Sequence, residues 1–321
     1  MNNFKKIGMT ALAASLVSTS VFAGEMSVSG SAGINFAGAD KGTSANGWSM
    51  TDSVTFSGGG EMDNGWNVTA TFLLDNSDGR ANIPGSLTGS QIFDNRSIAI
   101  DMAEAGTLEF WGQSGDSVVT ATDDKLPNQY EEAWYGAGSP NTGAATSNMF
   151  YYSNAAIVDG LNVMASYTPS GTAEVLSSTE FGVTYSGVDG LTIGYAFGEV
   201  EETATVSNDE STLWIKYAMG PLTVGYQSSE VDGQTSTQDD EGTAFGISYA
   251  VSDALSISYG VNDVDLGSEN SAGTDQEAEG ISASYTMGGV SISVAMNEVK
   301  NAGGQTGEDH EAYDLNVAFA F

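Results

Sequence analysis

Several kinds of residue are scarce in this sequence, and each scarcity excludes a class of protein. It contains no cysteine, one histidine and five prolines among 321 residues. Without cysteine there is no disulfide scaffold, and thiol chemistry is excluded. Any Ser-His-acid hydrolase would have to use His310, the single histidine, which makes a solvent-exposed loop position the simpler interpretation of that residue.

Basic side chains are also few. The chain has 8 Lys and Arg against 42 Asp and Glu, for a formal net charge of -34. Such a charge repels nucleic acid and anionic membrane surfaces, so both are poor partners. Two interpretations of the acidity stay open at this point. It either serves solubility in water or in brine, or it creates a field that concentrates cations.

Long apolar runs are absent except near the start of the sequence. Lys5 and Lys6 precede an apolar stretch from Ile7 to Val17, and Val21-Phe22-Ala23 fits a small-x-small cleavage pattern. The apolar stretch is too short for a membrane-spanning helix and is typical of a signal peptide. We expect residues 1–23 to be removed, leaving a mature chain of residues 24–321.

What the sequence has in abundance is strict alternation. In Phe245–Val261, large apolar residues share one parity while Ser and Gly occupy the other, on both sides of a short break. Period-2 alternation around a tight break predicts an antiparallel hairpin. Similar units recur at Phe181–Phe197, Trp214–Ser228 and Ile281–Met296. A small polar face opposite an apolar face that ends in tyrosine is typical of a wall between water and lipid.

The whole mature chain divides into strands in this way, with about 16 in all, joined alternately by seven short breaks and eight longer loops. An even strand number with short connections at one end and long ones at the other predicts an all-β, transmembrane antiparallel β-barrel. Open sheet edges would leave backbone groups unpaired in lipid, and a barrel of this size encloses an aqueous channel. The acidic stretches near 199–209, 230–241, 265–277 and 300–310 are expected to be loops.

The last strand and the middle of the chain carry a family resemblance. The chain ends in YDLNVAFAF, from Tyr313 to Phe321, and its centre, Ser147–Gly171, reads SNMFYYSNAAIVDGLNVMASYTPSG. With the repeated hairpins, these segments resemble the Gram-negative general porins, the trimeric 16-stranded outer-membrane proteins, most nearly the alphaproteobacterial type. The resemblance implies a homotrimer in contact with outer-membrane lipid and lipopolysaccharide, and it makes Phe321, Phe319 and Tyr313 an assembly signal.

The resemblance also implies a pore constriction. In that family the third long loop folds into the barrel, and its acids face basic residues on the opposite wall. The matching segment here is 114–147; its constriction candidates are Asp116, Asp123, Asp124, Lys125, Glu131 and Glu132. The alternative is that this charged loop simply lies in solvent.

The basic residues that would face these acids depart from the family pattern. Lys216 has the parity opposite to Leu213, Ile215 and Tyr217, so it is expected to face the lumen. Arg96 resembles the pore arginine of the family but shares parity with Ile98. Either a bulge intervenes, or Arg96 lies beyond the lipid band or at a subunit contact.

The expected function is therefore passive diffusion of small hydrophilic solutes and ions through a water-filled, cation-preferring pore, without catalysis. A secreted acidic β-rich surface-layer protein and a substrate-specific porin are the alternatives. No cofactor is expected. The acidic loops leave Ca²⁺ binding open, although no EF-hand spacing is present.

Overall fold

The chain forms one closed antiparallel barrel of 16 strands, in which each strand pairs with the next and β1 pairs with β16. This computed structural model describes residues 26–39, 47–75, 93–122, 124–130, 132, 143–171, 176–203, 206–233, 239–267 and 274–321. The expected signal peptide lies outside the described residues. No helix in the described part of the chain is long and apolar enough to span a bilayer.

The strands are β1 (Met26–Ala39), β2 (Gly47–Glu61), β3 (Asn67–Asp75), β4 (Asn95–Asp101), β5 (Thr107–Gln113), β6 (Met149–Val158), β7 (Leu161–Thr168), β8 (Ser178–Val188), β9 (Leu191–Thr203), β10 (Val206–Met219), β11 (Leu222–Asp232), β12 (Asp240–Ala250), β13 (Leu255–Leu266), β14 (Gln276–Met287), β15 (Val290–Lys300) and β16 (His310–Ala320). The predicted fold and strand number are confirmed.

Alternation in the sequence separates the sheet into two faces. In β12 and β13, Phe245 pairs with Val261 and Ile247 pairs with Tyr259, and Phe245 and Ile247 are exposed. The intervening Ser248 and Ser258 also pair with each other, and both are buried. We call the side with large exposed apolar residues the apolar face and the opposite side the polar face. A continuous face of exposed apolar side chains is stable only when it contacts lipid or another protein.

The short connections follow ordinary turn chemistry. β8 and β9 are joined by Asp189-Gly190, and Gly190 has a φ of 73°. Left-handed backbone of this kind favours glycine, and a two-residue turn of this composition matches the right-handed twist of a hairpin. Seven connections of two to five residues lie at one end of the barrel, as the alternating pattern predicted, whereas at the other end only two residues separate β9 from β10.

The acidic stretches are shorter loops than predicted. The stretch 199–209 lies almost wholly in β9 and β10, where Asp209 pairs with Glu199, and near the ends of the next two stretches Glu230 pairs with Glu241 and Asp263 pairs with Glu277. The predicted bounds of 199–209 were wrong because they followed the end of the apolar pattern, whereas the connections 233–239, 267–275 and 301–309 fall within the other three acidic stretches. The hydrogen-bond ladder continues past the apolar band, where both faces of a strand can be polar without cost.

The barrel closes at the terminal residue. The Phe321 N–H donates to the Gly30 carbonyl over 2.9 Å, and the Gly30 N–H donates to the Phe321 carbonyl over 3.0 Å. A Cβ at Gly30 would lie 2.8 Å from the Phe321 ring, so only glycine fits beneath it. Phe321, Phe319 and Tyr313 are all exposed, at 76%, 43% and 37%. Their role as an assembly signal stays a prediction.

Candidate functional site

The segment 114–147 joins β5 to β6, and its described parts contact polar-face side chains of many strands. We call residues 114–122 its first limb, 124–132 its far part and 143–147 its return limb. Polar backbone groups of a connection this long need partners when they are withdrawn from water. Here the partners of backbone groups come from β7, β8, β10, β11, β13, β14 and β15. The Tyr130 hydroxyl has further partners on β1 and β16.

Glu180 of β8 binds both limbs at once. Its side chain is fully buried, at 0% exposure. One carboxylate oxygen accepts the Val119 N–H over 2.7 Å and the Ser166 hydroxyl over 3.1 Å, while the other accepts the Ala144 N–H over 2.6 Å. A buried carboxylate is tolerated when several donors satisfy it, and such charge-assisted bonds are the stronger kind.

Further contacts hold each limb separately. Glu210 of β10, at 2% exposure, accepts the Gly143 N–H over 2.9 Å. On the first limb, the Val118 N–H donates to the Ser166 hydroxyl of β7 over 3.1 Å. Val118 and Val119 are fully buried and pack with Ala196 of β9. Both limbs are therefore fastened to the wall formed by β7–β10.

The far part continues along the polar face toward the last strands. The Lys125 N–H donates to the Gln227 side chain of β11 over 2.8 Å. The Gln129 N–H lies 3.0 Å from the Ser258 hydroxyl of β13 and 3.3 Å from that of Ser282 of β14. Small serines of the alternating hairpins therefore accept the backbone hydrogen bond of Gln129.

Polar-face glycines make room for the far part. A Cβ at Gly246 of β12 would lie 3.0 Å from the Pro127 Cδ atom and 3.1 Å from the Leu126 Cβ atom. A Cβ at Gly225 of β11 would also meet Pro127. Glycine inside a strand weakens the strand and is typical of close approach by another backbone. Along this path the polar face therefore provides space for another backbone as well as polar partners for it.

The charged groups near the segment form two sets. On one side, Asp116 of the first limb, Glu109 of β5 and Glu180 all act electrostatically on Tyr151 of β6. On the other side, Asp124 and Lys125 of the far part act on Lys216 of β10. The Lys216 ammonium also lies 5.3 Å from the centre of the Trp214 ring, within the range of a cation–π contact.

The predicted constriction residues differ in their exposure and contacts. Asp116 and Asp124 are exposed, and Lys125 and Lys216 are partly exposed. The Glu132 carbonyl accepts a hydrogen bond from the Asn297 side chain of β15. Asp123 and Glu131 lie outside the described residues. The role of each of these side chains in a constriction stays a prediction.

Arg96 lies apart from this group. It pairs with Phe72 of β3, and directly paired residues project to the same side of a sheet. Phe72 and Ile98 are exposed on the apolar face, so the register assigns Arg96 to that face as well. A bulge does lie beside it, where the pairing with β5 shifts between Arg96 and Ser97, but the extra residue is Gly112 of β5. The pairing with β3 is unbroken.

Sequence reasoning missed the buried carboxylates that bind the segment, Glu180, Glu210 and Asp314. Parity could have placed Glu180 and Asp314 on the polar face, because they alternate with Phe181 and with Tyr313 and Leu315, whereas Glu210 lies between Asp209 and Ser211 and shows no such pattern. What parity could not reveal is that another segment covers them. Among the described residues, no group of three or more acidic or histidine side chains is arranged to hold a metal ion, and Ca²⁺ binding stays a prediction.

The fold and site together define a β-barrel with a polar interior face. The sequence model of the Gram-negative porins matches residues 8–302, and the chain therefore belongs to that family. It is an outer-membrane porin channel of Gram-negative bacteria. No protein in the curated set matches the chain.

Solved structures give the same fold. A triple mutant of the Rhodopseudomonas blastica porin matches with a TM-score of 0.71 at 16% identity, covering 92% of this chain and 100% of that one. Another mutant of the same porin gives a TM-score of 0.71 at 18% identity, with the same coverage. An anion-selective porin from Comamonas acidovorans gives 0.70 at 14% identity, covering 92% of this chain and 99% of that one.

Proposed function

We propose that this porin is a water-filled, cation-preferring channel for passive diffusion of small hydrophilic solutes and ions. The segment 114–147 lies within the lumen and sets the size limit. The observation that carries this proposal is the path of hydrogen bonds from the segment to polar-face side chains, from Ser166 and Glu180 to Asp314. If the apolar face meets lipid, the polar face lines the lumen, and a segment bound to it lies inside.

The preference for cations follows from charge. The full sequence has 42 acidic and 8 basic side chains, and two of the basic ones, Lys5 and Lys6, lie in the expected signal peptide; Asp116 and Asp124 are exposed on the segment that narrows the lumen. A lumen bounded by low-dielectric walls concentrates ions of the opposite sign. The Comamonas neighbour shares the fold but is anion-selective. Selectivity therefore depends on the charges along the lumen rather than on the barrel itself.

Three copies associate through the outer surface of the first strands. β4 and β5 have seven residues each. Tilted as barrel strands are, they reach about 18 Å, against an apolar band of about 25 Å. Asp52 of β2, paired with Ala32, and Arg96 of β4 also lie on the apolar face here. A short wall carrying charges is poorly suited to lipid and well suited to contact with another copy.

The chain reaches the outer membrane as an exported precursor from which residues 1–23 are cleaved. Proteoliposome swelling tests the channel itself. Liposomes containing the purified trimer should swell in isotonic arabinose, and the rate should fall steeply from pentose to disaccharide to trisaccharide. Liposomes with heat-denatured protein provide the control. Absence of swelling with folded protein in every sugar would rule out diffusion, and equal rates for all sugars would rule out a constriction.

A further inference from the structure

We propose that Glu180 is a positioning residue that clamps both limbs of the segment 114–147 to β8 and thereby fixes the width of the constriction. The inference rests on the proposed function, because it requires the segment to lie in the lumen. It adds a residue that does not touch permeating solute, since its side chain is fully buried.

One carboxylate joins two stretches of chain that are far apart along the segment. The Val119 N–H on the first limb and the Ala144 N–H on the return limb bind different oxygens of Glu180, at 2.7 and 2.6 Å. The first and return limbs also meet directly where the Gly115 N–H donates to the Thr146 carbonyl over 3.0 Å. Glu180 therefore closes the base of the loop and attaches it to the wall.

The chemistry requires a glutamate at this position. An ionised carboxylate offers two acceptor oxygens and no donor, which suits two converging N–H groups. A glutamine would present an NH₂ group to one of them and leave it without an acceptor. An aspartate would keep the charge but, being one methylene shorter, could not reach both limbs. Each change leaves a buried N–H unsatisfied, which is the costly outcome.

The two limbs depend on Glu180 unequally. The return limb has a second anchor next to Ala144, where Gly143 binds Glu210 over 2.9 Å. The first limb is anchored at Val118 by the Ser166 hydroxyl, which itself donates to Glu180 over 3.1 Å. Loss of Glu180 therefore disturbs both polar anchors of the first limb. The limb that carries Asp116 is the one we expect to be released.

Single-channel recording of Glu180→Gln and Glu180→Asp in planar bilayers tests the clamp. The wild type should show one dominant conductance level. Both variants should spend roughly tenfold more time at additional levels, because an unsatisfied buried N–H shifts the equilibrium between held and released limbs by about that factor. The Asp variant is decisive because it keeps the charge. If Glu180 acted only through its charge, this variant would record like the wild type.

Glu199→Gln is the matched control, since Glu199 lies exposed on the apolar face of the neighbouring β9 and its loss removes the same charge. It should leave the conductance levels unchanged. If the Glu180 variants do not fold, Ser166→Ala decides, because it removes a donor to Glu180 and the acceptor for Val118 while retaining the charge. A single unchanged level in the folded variants would overturn the clamp. Absence of any channel in the wild type would instead overturn the proposed function.

Discussion

The Tyr130 hydroxyl donates a 2.7 Å hydrogen bond to the Asp314 carboxylate, which joins the far part of the segment to the last strand. Asp314 also accepts from the Asn35 side chain of β1, at 2.8 and 2.9 Å from its two oxygens. One buried carboxylate thus connects the first strand, the last strand and the segment. The seam at which the barrel closes is also the place where the far part is fastened.

Tyr130→Phe should loosen the far part without opening the barrel. It removes only the hydroxyl that reaches Asp314, which keeps its bonds from Asn35. A lost hydrogen bond of this kind is worth on the order of 1 kcal/mol, so we expect proteinase K to cleave the segment roughly fivefold faster in the folded, detergent-solubilised protein. Tyr185→Phe, at an exposed apolar-face position, is the control. Equal cleavage rates for the two variants would show that Tyr130 does not hold the segment.

Lys216→Met should increase the preference for cations. Lys216 shares the side of β10 that carries the buried Glu210 and Trp214, and Lys125 of the segment acts on it electrostatically. Removing a positive charge about 7 Å from a permeating ion in water changes its energy by roughly 0.6 kcal/mol, or about threefold in the permeability ratio. The ratio is measured from reversal potentials in potassium chloride gradients. A ratio that stays the same, or falls, would place the Lys216 charge outside the ion path.

Asp116→Asn combined with Asp124→Asn should have the opposite effect. Each exposed carboxylate on the segment contributes an attraction of similar size, so the cation preference should fall by roughly threefold per residue. The effect should shrink in concentrated salt because screening shortens the range of exposed charges. Asp189→Asn combined with Asp253→Asn, in two of the short connections, is the control for total charge because it removes the same two charges. If the control alters selectivity as much as the double variant, then net charge, and not the constriction, determines selectivity.

Asp52 and Arg96 should contribute to subunit contact. Within the described residues neither makes an ion pair, and a charge facing lipid at mid-membrane depth costs about 2–4 kcal/mol for a basic residue. Arg96→Asp and Asp52→Arg should each lower the temperature at which the trimer dissociates on unheated gels, and the double exchange should restore part of the loss. Lys300→Gln, which removes a surface ion pair 3.8 Å long, should have little effect. Identical dissociation temperatures would place this face against lipid.

The fold was predictable because every strand obeys the same alternation. Phe245 to Tyr249 and Leu255 to Tyr259 carry enough pattern to fix strand, register and face, and the residues between them mark the turn. Strand ends were predicted poorly near Glu199 and Asp209, since pairing continues where the apolar pattern stops. The segment 114–147 could be located by its length and lack of alternation. Its path could not, because a sequence does not say which serine or buried acid will meet which backbone amide.

At Arg96 two sequence-based signals disagreed about which face of the barrel carries the side chain. Its parity with Ile98 indicated the apolar face, whereas the family resemblance indicated the lumen. The register agrees with parity, because Arg96 and Phe72 are direct partners. Local alternation was therefore the better guide at this position.

The reversal potential of the wild-type protein in a planar bilayer, under a tenfold potassium chloride gradient, tests the central claim most directly. A charged constriction inside an open lumen predicts discrete conductance steps, with a reversal potential of the sign that potassium diffusion from the concentrated side produces. Steps that reverse at zero or with the opposite sign would contradict the proposed cation preference. Folded protein that produces no steps would contradict the open channel itself.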